Sequence, residues 1–157
     1  MIRVKVPATS ANMGAGFDCM GIALSLYNII DIDILESGLQ IIDDFPKVSH
    51  NENNLIYRAM KEVFDRVGYT PSGIRIRQKS QIPATRGLGS SSACIIGGMI
   101  GANILSGRKL SYREILDMAA AMEGHPDNVT PALFGGLCVS AKDGDSIIYK
   151  SIKLIRQ

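Results

Sequence analysis

Glycine and serine are concentrated in residues 83–93, whose sequence is PATRGLGSSSA. This segment lies between a predicted strand at residues 74–79 and an apolar helix that begins near Ser91. Glycines let backbone amides approach a ligand closely, and a helix N-terminus adds free N–H groups and partial positive charge. The serine hydroxyls suit phosphate oxygens or a magnesium shell. The pattern therefore predicts a phosphate-binding loop, with a glycine turn that only begins a buried helix as the alternative.

Two well-known nucleotide motifs are absent from this loop. The Walker pattern GxxxxGK followed by Ser or Thr does not occur, and no lysine closes the loop. The dinucleotide pattern GxGxxG is not satisfied either. If the loop binds phosphate, it therefore does so through a motif of another class.

Two further segments carry polar side chains among small residues. Residues 7–21, PATSANMGAGFDCMG, place Asn12 and Asp18 in a glycine-rich stretch where a substrate could come close. Residues 123–128, EGHPDN, bring two acids, an imidazole and an amide together at a predicted helix junction. An ordinary loop and a helix-capping cluster are the respective alternatives. Metal ligation by His125 is not expected, since the only other histidine, His50, lies in a polar loop.

The composition limits the class of protein. The chain has 157 residues, 46% of them hydrophobic and 20% charged, which suits one soluble domain or one large lobe. A net charge of +2 gives no strong attraction to nucleic acid or anionic lipid. The basic strand Arg75, Arg77 and Lys79 lacks stacking aromatics, so we interpret it as a solvated strand face.

The cysteines and the N-terminus suggest a cytoplasmic location. Three cysteines without a CxxC pair favour free thiols in a reducing compartment over disulfides or a zinc site. The N-terminus has no apolar core of signal-peptide length, and the most apolar stretch is too short to span a bilayer. Secretion and membrane insertion are therefore not expected.

Periodicity and local signals predict the elements that must position these groups. Strands are expected at 2–7, ending at Pro7, within 22–34, at 39–42 and at 74–79, with a turn-rich stretch between the first two. Helices are expected from residue 53 to Gly68, from Ser91 through an apolar run whose Gly97 and Gly101 indicate close packing, from Ser111 to about Met122, and after Pro126. A terminal hairpin is expected around residues 143–144.

The three chemical segments together resemble the GHMP kinase superfamily, from residue 2 to about 142. The resemblance implies an α+β fold, the ribosomal-protein-like N-terminal ATP-binding lobe with a left-handed βαβ crossover, over residues 1–157. Members are about twice this length, and their C-terminal glycine-rich motif has no counterpart here. We therefore expect the C-terminal ferredoxin-like lobe to be missing, and the isolated chain to self-associate or lose stability and to be weakly active or inactive.

The two outer segments resemble the branch of this superfamily that phosphorylates the side-chain hydroxyl of L-homoserine, giving O-phospho-L-homoserine for threonine biosynthesis. The resemblance implies ATP and Mg²⁺ as cofactors, no nucleic acid or membrane partner, and leaves a homodimer open. A mevalonate- or sugar-type acceptor, or a non-catalytic module that binds nucleic acid or another partner, are the alternatives.

The resemblance also assigns residues. The implied ATP-binding residues are Pro83, Ala84, Thr85, Arg86, Gly87, Leu88, Gly89, Ser90, Ser91, Ser92 and Ala93. Asn12, Asp18, His125 and Asp127 are implied to contact the acceptor, and Asp18 and Asn128 to take part in catalysis. Magnesium is assigned to Ser91 and Glu123, with Asp117 as the alternative carboxylate because it fits a gap-free spacing.

Overall fold

The computed structural model describes residues 1–43 and 49–152. These residues form a mixed α+β arrangement of six strands and four helices. In chain order they are β1 Ile2–Met13, β2 Gly16–Ile34, β3 Gly38–Asp43, α1 Leu55–Val67, β4 Gly73–Ser80, α2 Ser90–Leu105, α3 Tyr112–Glu123, α4 Val129–Phe134, β5 Leu137–Asp143 and β6 Ser146–Ile152.

The long strand β2 organises the sheet. The strand order in the sheet is β3-β4-β2-β5-β6. Strand β1 pairs along the other edge of β2. Every pairing is antiparallel except that of β3 with β4, which are parallel and joined through α1. This βαβ unit is the crossover implied by the family resemblance, and the left-handedness implied for it stays a prediction.

The two faces of the sheet follow the period-two pattern of β2 and β4. Ile30, Ile32, Ile74 and Ile76 are buried beneath the helices. The alternate residues face outward, where Asp31 pairs in register with Arg77 and Asp33 with Arg75. Both arginines lie within 4.0 Å of Asp33, at 4.0 Å for Arg75 and 3.5 Å for Arg77. The prediction of a solvated strand face is confirmed, and its positive charge is offset by neighbouring carboxylates.

The apolar helix α2 lies at the centre of the core. A Cβ added at Gly97 would overlap Ile30 Cδ1, and one at Gly101 would overlap Ile32 Cδ1. A Cβ at Gly98 would come within 2.5 Å of the Ile56 carbonyl oxygen of α1. The glycines therefore allow α2 to approach both the sheet and α1, which confirms the close packing predicted for Gly97 and Gly101.

Local chemistry sets several helix ends as predicted. The Ser111 hydroxyl accepts from the Glu114 amide, and the Glu114 carboxylate accepts from the Ser111 amide, which completes a capping box. The Ser111 amide and hydroxyl donate to Glu114 Oε2 at 2.9 and 2.8 Å, and these two hydrogen bonds hold the pKa of Glu114 below its usual value. Helix α1 ends at Gly68, which has a left-handed φ of 65°.

The N-terminal hairpin differs from the prediction. Strand β1 does not end at Pro7 but continues to Met13, with a register shift between Pro7 and Ala8. Within the described residues β1 pairs only with β2, so Pro7 lies in an edge strand, where proline is tolerated. The expected turn-rich stretch is therefore mostly two paired strands joined at Gly14 and Ala15.

The cysteines are free, as expected. Cys94 and Cys138 are buried and Cys19 is half-buried. Burial raises the pKa of the Cys94 thiol to about 11, although hydrogen bonds from Gln78 and Asn28 oppose that rise. None of the helices in the described ranges has the length and apolarity needed to cross a membrane.

Candidate nucleotide and acceptor site

The three segments singled out from the sequence meet at one open cleft of about 520 Å³. The loop that precedes α2, together with its first turn, forms one wall, from Pro83 to Ser91. Ala11 and Asn12 of β1, Glu123 at the end of α3 and Asn128 before α4 line the rest. Residues separated by more than a hundred positions in the chain therefore line the same cleft.

Backbone amides at the start of α2 are available to a ligand. The helix begins at Ser90, and its N-cap Gly89 has a left-handed φ of 63° with no side-chain cap. The amides of the first helical turn have no carbonyl partner within the helix. An anion in the cleft would meet these donors and the positive end of the helix dipole. This arrangement suits a phosphate group, and phosphate binding by the loop stays a prediction.

Glu123 is held against the first turn of α2 by two serines. Ser91 Oγ donates to Glu123 Oε1 at 2.6 Å, and Ser92 Oγ donates to the same oxygen at 3.1 Å. Ser91 is exposed and Ser92 is fully buried, so the carboxylate lies at the boundary between core and cleft.

The alternative carboxylate, Asp117, lies elsewhere. Its Oδ1 accepts from the Ile147 amide at 2.7 Å, and its Oδ2 lies 3.6 Å from Arg113 Nε. Asp117 therefore anchors β6 to α3 and lines a different cavity, beside Lys142 and Asp145. Of the two carboxylates left open by the spacing, the structure brings only Glu123 to Ser91.

Asn128 lines the cleft and is connected to the phosphate loop through Thr9. Thr9 Oγ1 donates to Asn128 Oδ1 at 2.7 Å, and the Thr9 amide donates to the Leu88 carbonyl at 3.1 Å. A Cβ at Gly89 would overlap Thr9 Oγ1, so only glycine fits there without displacing Thr9. The sequence reasoning missed Thr9, because a threonine in a small-residue segment gives no signal.

His125 and Asp127 form a pair beside Asn128. Asp127 is fully buried, and its Oδ1 contacts His125 Nδ1 at 2.7 Å and accepts from Asn128 Nδ2 at 3.2 Å. The other oxygen, Asp127 Oδ2, is buried without a hydrogen-bond partner among the described residues. The His125 side chain is 46% exposed, but it lines the same cavity as Asp117 and is outside the set of residues that line the cleft. Asp127 is not a lining residue of the cleft either.

Asn12 and Asp18 lie at the tip of the β1–β2 hairpin, and both are exposed. Both have left-handed φ angles, 59° and 55°, a conformation that Asn and Asp tolerate better than most residues. The Asp18 amide donates to Asn12 Oδ1 at 2.7 Å. Asn12 lines the cleft, whereas Asp18 is outside the set of lining residues.

Comparison with known proteins identifies the family. The family model for the GHMP kinases N-terminal domain matches residues 54–136, which is more than half of the chain. The chain therefore belongs to the GHMP kinase family, and the α+β lobe expected from the motifs is confirmed.

The similar full-length proteins include homoserine kinases. The homoserine kinase of Caldicellulosiruptor bescii is 57% identical over 151 residues, which cover 95% of this chain and 49% of that protein. A solved structure from Listeria monocytogenes, described as a homoserine kinase, has a TM-score of 0.87 at 37% identity and covers 96% of this chain and 53% of that one. The chain spans about half the length of these relatives.

A more distant structure shares the fold alone. The mevalonate kinase of Methanococcus jannaschii has a TM-score of 0.76 at 18% identity and covers 97% of this chain and 56% of that one. The architecture is therefore common to kinases with different acceptors, and the acceptor must be argued from the site.

Proposed function

We propose that this chain is the nucleotide-binding half of a homoserine kinase, which transfers the γ-phosphoryl group of ATP to the side-chain hydroxyl of L-homoserine. The observation that carries the proposal is the convergence of the glycine loop, the Ser91–Glu123 pair and Asn128 on one cleft. The identity to homoserine kinases supports the choice of acceptor.

The site residues fit a magnesium-bound nucleotide. Magnesium is usually held in phosphoryl-transfer sites by one or two protein oxygens, with substrate phosphates and water completing the shell. The hydroxyl of Ser91 and the carboxylate of Glu123 supply such a pair. Among the described residues no cluster of three or more His, Cys, Asp or Glu side chains could hold a metal alone. A metal that arrives with the nucleotide therefore suits this donor set.

The remaining groups suit phosphoryl transfer, which depends on positioning and on neutralising charge rather than on a covalent intermediate. The amides at the start of α2 bind and orient phosphate oxygens. Bound magnesium neutralises charge on those oxygens. Asn128 lines the cleft, and the Nδ2 hydrogen that is not bonded to Asp127 is proposed to donate to a phosphate oxygen or to the acceptor.

The acceptor is proposed to lie beyond Asn128, toward the hairpin. L-Homoserine carries an amino group, a carboxylate and a reacting hydroxyl, so it needs partners of both charges. Asp18 suits the amino group or the hydroxyl. Asn12 lines the cleft and offers hydrogen bonds to the remaining groups. The contact implied for His125 requires the acceptor to extend past the cleft, because its exposed ring lines the neighbouring cavity.

The test is ADP release measured with L-homoserine and, in parallel, with mevalonate, a hexose and L-serine. It uses the full-length protein that contains this chain. We expect release to depend on L-homoserine and Mg²⁺. ADP release that depends on another alcohol would overturn L-homoserine as the acceptor. Salt-dependent RNA binding without nucleotide-dependent thermal stabilisation would overturn the proposal that the protein is a kinase.

The isolated polypeptide 1–157 provides a second comparison. We expect it to turn over at least about a hundredfold more slowly than the full-length protein, because about 2.7 kcal/mol of lost positioning is enough for that factor. Equal rates would show that residues 1–157 contain every group the reaction needs.

A further inference from the structure

We infer that Thr9 is a positioning residue that fixes the side-chain amide of Asn128 for the reaction, an inference that rests on the proposed function. Thr9 is fully buried, 119 positions from Asn128 in sequence, and is not itself a lining residue of the cleft. Its hydroxyl donates to Asn128 Oδ1 at 2.7 Å.

The hydrogen-bond chemistry allows only one orientation of the Asn128 amide. An ionised carboxylate has acceptors only, so the group facing Asp127 Oδ1 at 3.2 Å must be the donor Nδ2. The carbonyl oxygen Oδ1 then faces Thr9, whose hydroxyl must donate to it. Asp127 thus sets the orientation of the amide, because a flipped amide would place two acceptor oxygens against each other. The Thr9 hydroxyl, which can donate or accept, then donates to Oδ1 and holds that end in place.

This orientation leaves one donor of the Asn128 amide without a bond to Asp127. Asn128 Nδ2 carries two hydrogens, and Asp127 accepts only one of them. The second has no partner among the described residues. Asn128 lines the cleft, and its Oδ1 is the atom that lies beside Gly89. We assign the remaining N–H to a phosphate oxygen or the acceptor hydroxyl.

Thr9 also connects this amide to the phosphate loop. Its backbone amide donates to the Leu88 carbonyl, and its hydroxyl occupies the space left by the missing Cβ of Gly89. One buried residue therefore contacts the loop on one side and Asn128 on the other. The distance between the phosphate-binding amides and the Asn128 donor is set through Thr9.

Two matched pairs of variants isolate the hydroxyl. Wild type and Thr9→Val have nearly the same shape, and Thr9→Ser and Thr9→Ala both lack the methyl group. Within each pair the hydroxyl is the main difference, and the backbone bond to Leu88 is retained throughout. If Thr9→Val fails to fold, the Ser and Ala variants still give the comparison. Melting temperatures are measured for all four proteins.

Among these four proteins we expect kcat to depend on whether the hydroxyl at position 9 is present, and not on the melting temperature. In full-length protein, Thr9→Val and Thr9→Ala should lose about tenfold or more in kcat with little change in KM for L-homoserine, and Thr9→Ser should recover most of the loss. In an Asn128→Ala background, removing the Thr9 hydroxyl should cause no further loss, because its effect passes through Asn128. Equal kcat within the pairs, or the same fold loss in both backgrounds, would overturn the inference.

Calorimetry with a non-hydrolysable ATP analogue and Mg²⁺ gives a readout that does not require turnover. The variants without the hydroxyl should bind at least about threefold more weakly than their partners. If the wild type shows no homoserine-dependent ADP release, the proposed function is wrong, and the calorimetric pairs still decide the role of Thr9. Equal affinities within both pairs would then overturn it.

Discussion

Ser91 Oγ donates a 2.6 Å hydrogen bond to Glu123 Oε1, although 32 positions separate the two residues. The bond joins the first turn of α2 to the last residue of α3. The two oxygens that we assign to magnesium are therefore placed by the packing of two helices, and not by a loop that closes on the ligand.

The first prediction compares Glu123 with Asp117. Glu123→Gln should raise the Mg²⁺ concentration for half-maximal turnover by at least about tenfold, because a neutral amide is a poor ligand for a hard cation. Asp117→Asn is the matched control and should leave the magnesium dependence unchanged while lowering the melting temperature. A magnesium titration of ADP release measures both. A larger magnesium effect at Asp117 would reverse the assignment.

The second prediction concerns the phosphate loop. Gly89→Val should abolish nucleotide-dependent thermal stabilisation, because its side chain would overlap Thr9 and its φ is left-handed. Gly68→Ala is the control: its φ is also left-handed, at 65°, an added Cβ meets nothing within 4 Å, and Gly68 does not line the cleft. It should cost only about 1 kcal/mol of folding stability and retain nucleotide binding. Calorimetry with ADP and Mg²⁺ checks both, and unchanged affinity in Gly89→Val would contradict the site.

The third prediction separates charge from conformation at Asp18. Asp18→Asn should lower kcat/KM for L-homoserine by about tenfold or more, because the variant loses the negative charge proposed to face the amino group. Asparagine tolerates the left-handed φ of 55° and retains the amide that donates to Asn12, so the melting temperature should change little. A variant that unfolds, with full activity in the folded fraction, would make Asp18 structural.

The fourth prediction follows from the buried thiol of Cys94. Its pKa is raised by burial to about 11, against an ordinary value of 9.0. Above pH 9 the unfolded chain loses this proton more readily than the folded one, so the thiol's contribution to stability is intact below pH 9 and is lost as pH rises toward 11. The free energy of unfolding, measured in urea at several pH values across this range, should fall more steeply with pH in wild type than in Cys94→Ala. Parallel curves would rule out the contribution of this thiol.

Local signals in the sequence predict much of the fold. The capping box of Ser111 and Glu114 and the left-handed Gly68 depend on residues within a few positions, so spacing alone reveals them. The hairpin predicted around residues 143–144 is likewise a local turn, which the structure places at residues 144–145, between Asp143 and Ser146. The end of β1 could not be predicted from Pro7, because the proline lies at the sheet edge beside a register shift that only the pairing with β2 defines.

The candidate site was predicted in its parts but not in its connections. The loop and the HPDN segment were identifiable from residue types, whereas the choice between Glu123 and Asp117 depended on which helix face meets Ser91. That contact depends on how α3 packs against α2, and the spacing of residues along one helix does not reveal this. Thr9 could not be found at all, since its partner lies 119 positions away.

The glycines of α2 have a consequence for how substitutions are tolerated. Gly97, Gly98 and Gly101 contact no cleft, yet each fixes how closely the helix lies to β2 or α1. The same rigid helix begins with the amides and serines of the site, so a displacement at its middle moves its first turn. A systematic mutational scan should therefore find a row of positions deep in the core that impair nucleotide affinity before they abolish folding, far from any atom that touches the nucleotide.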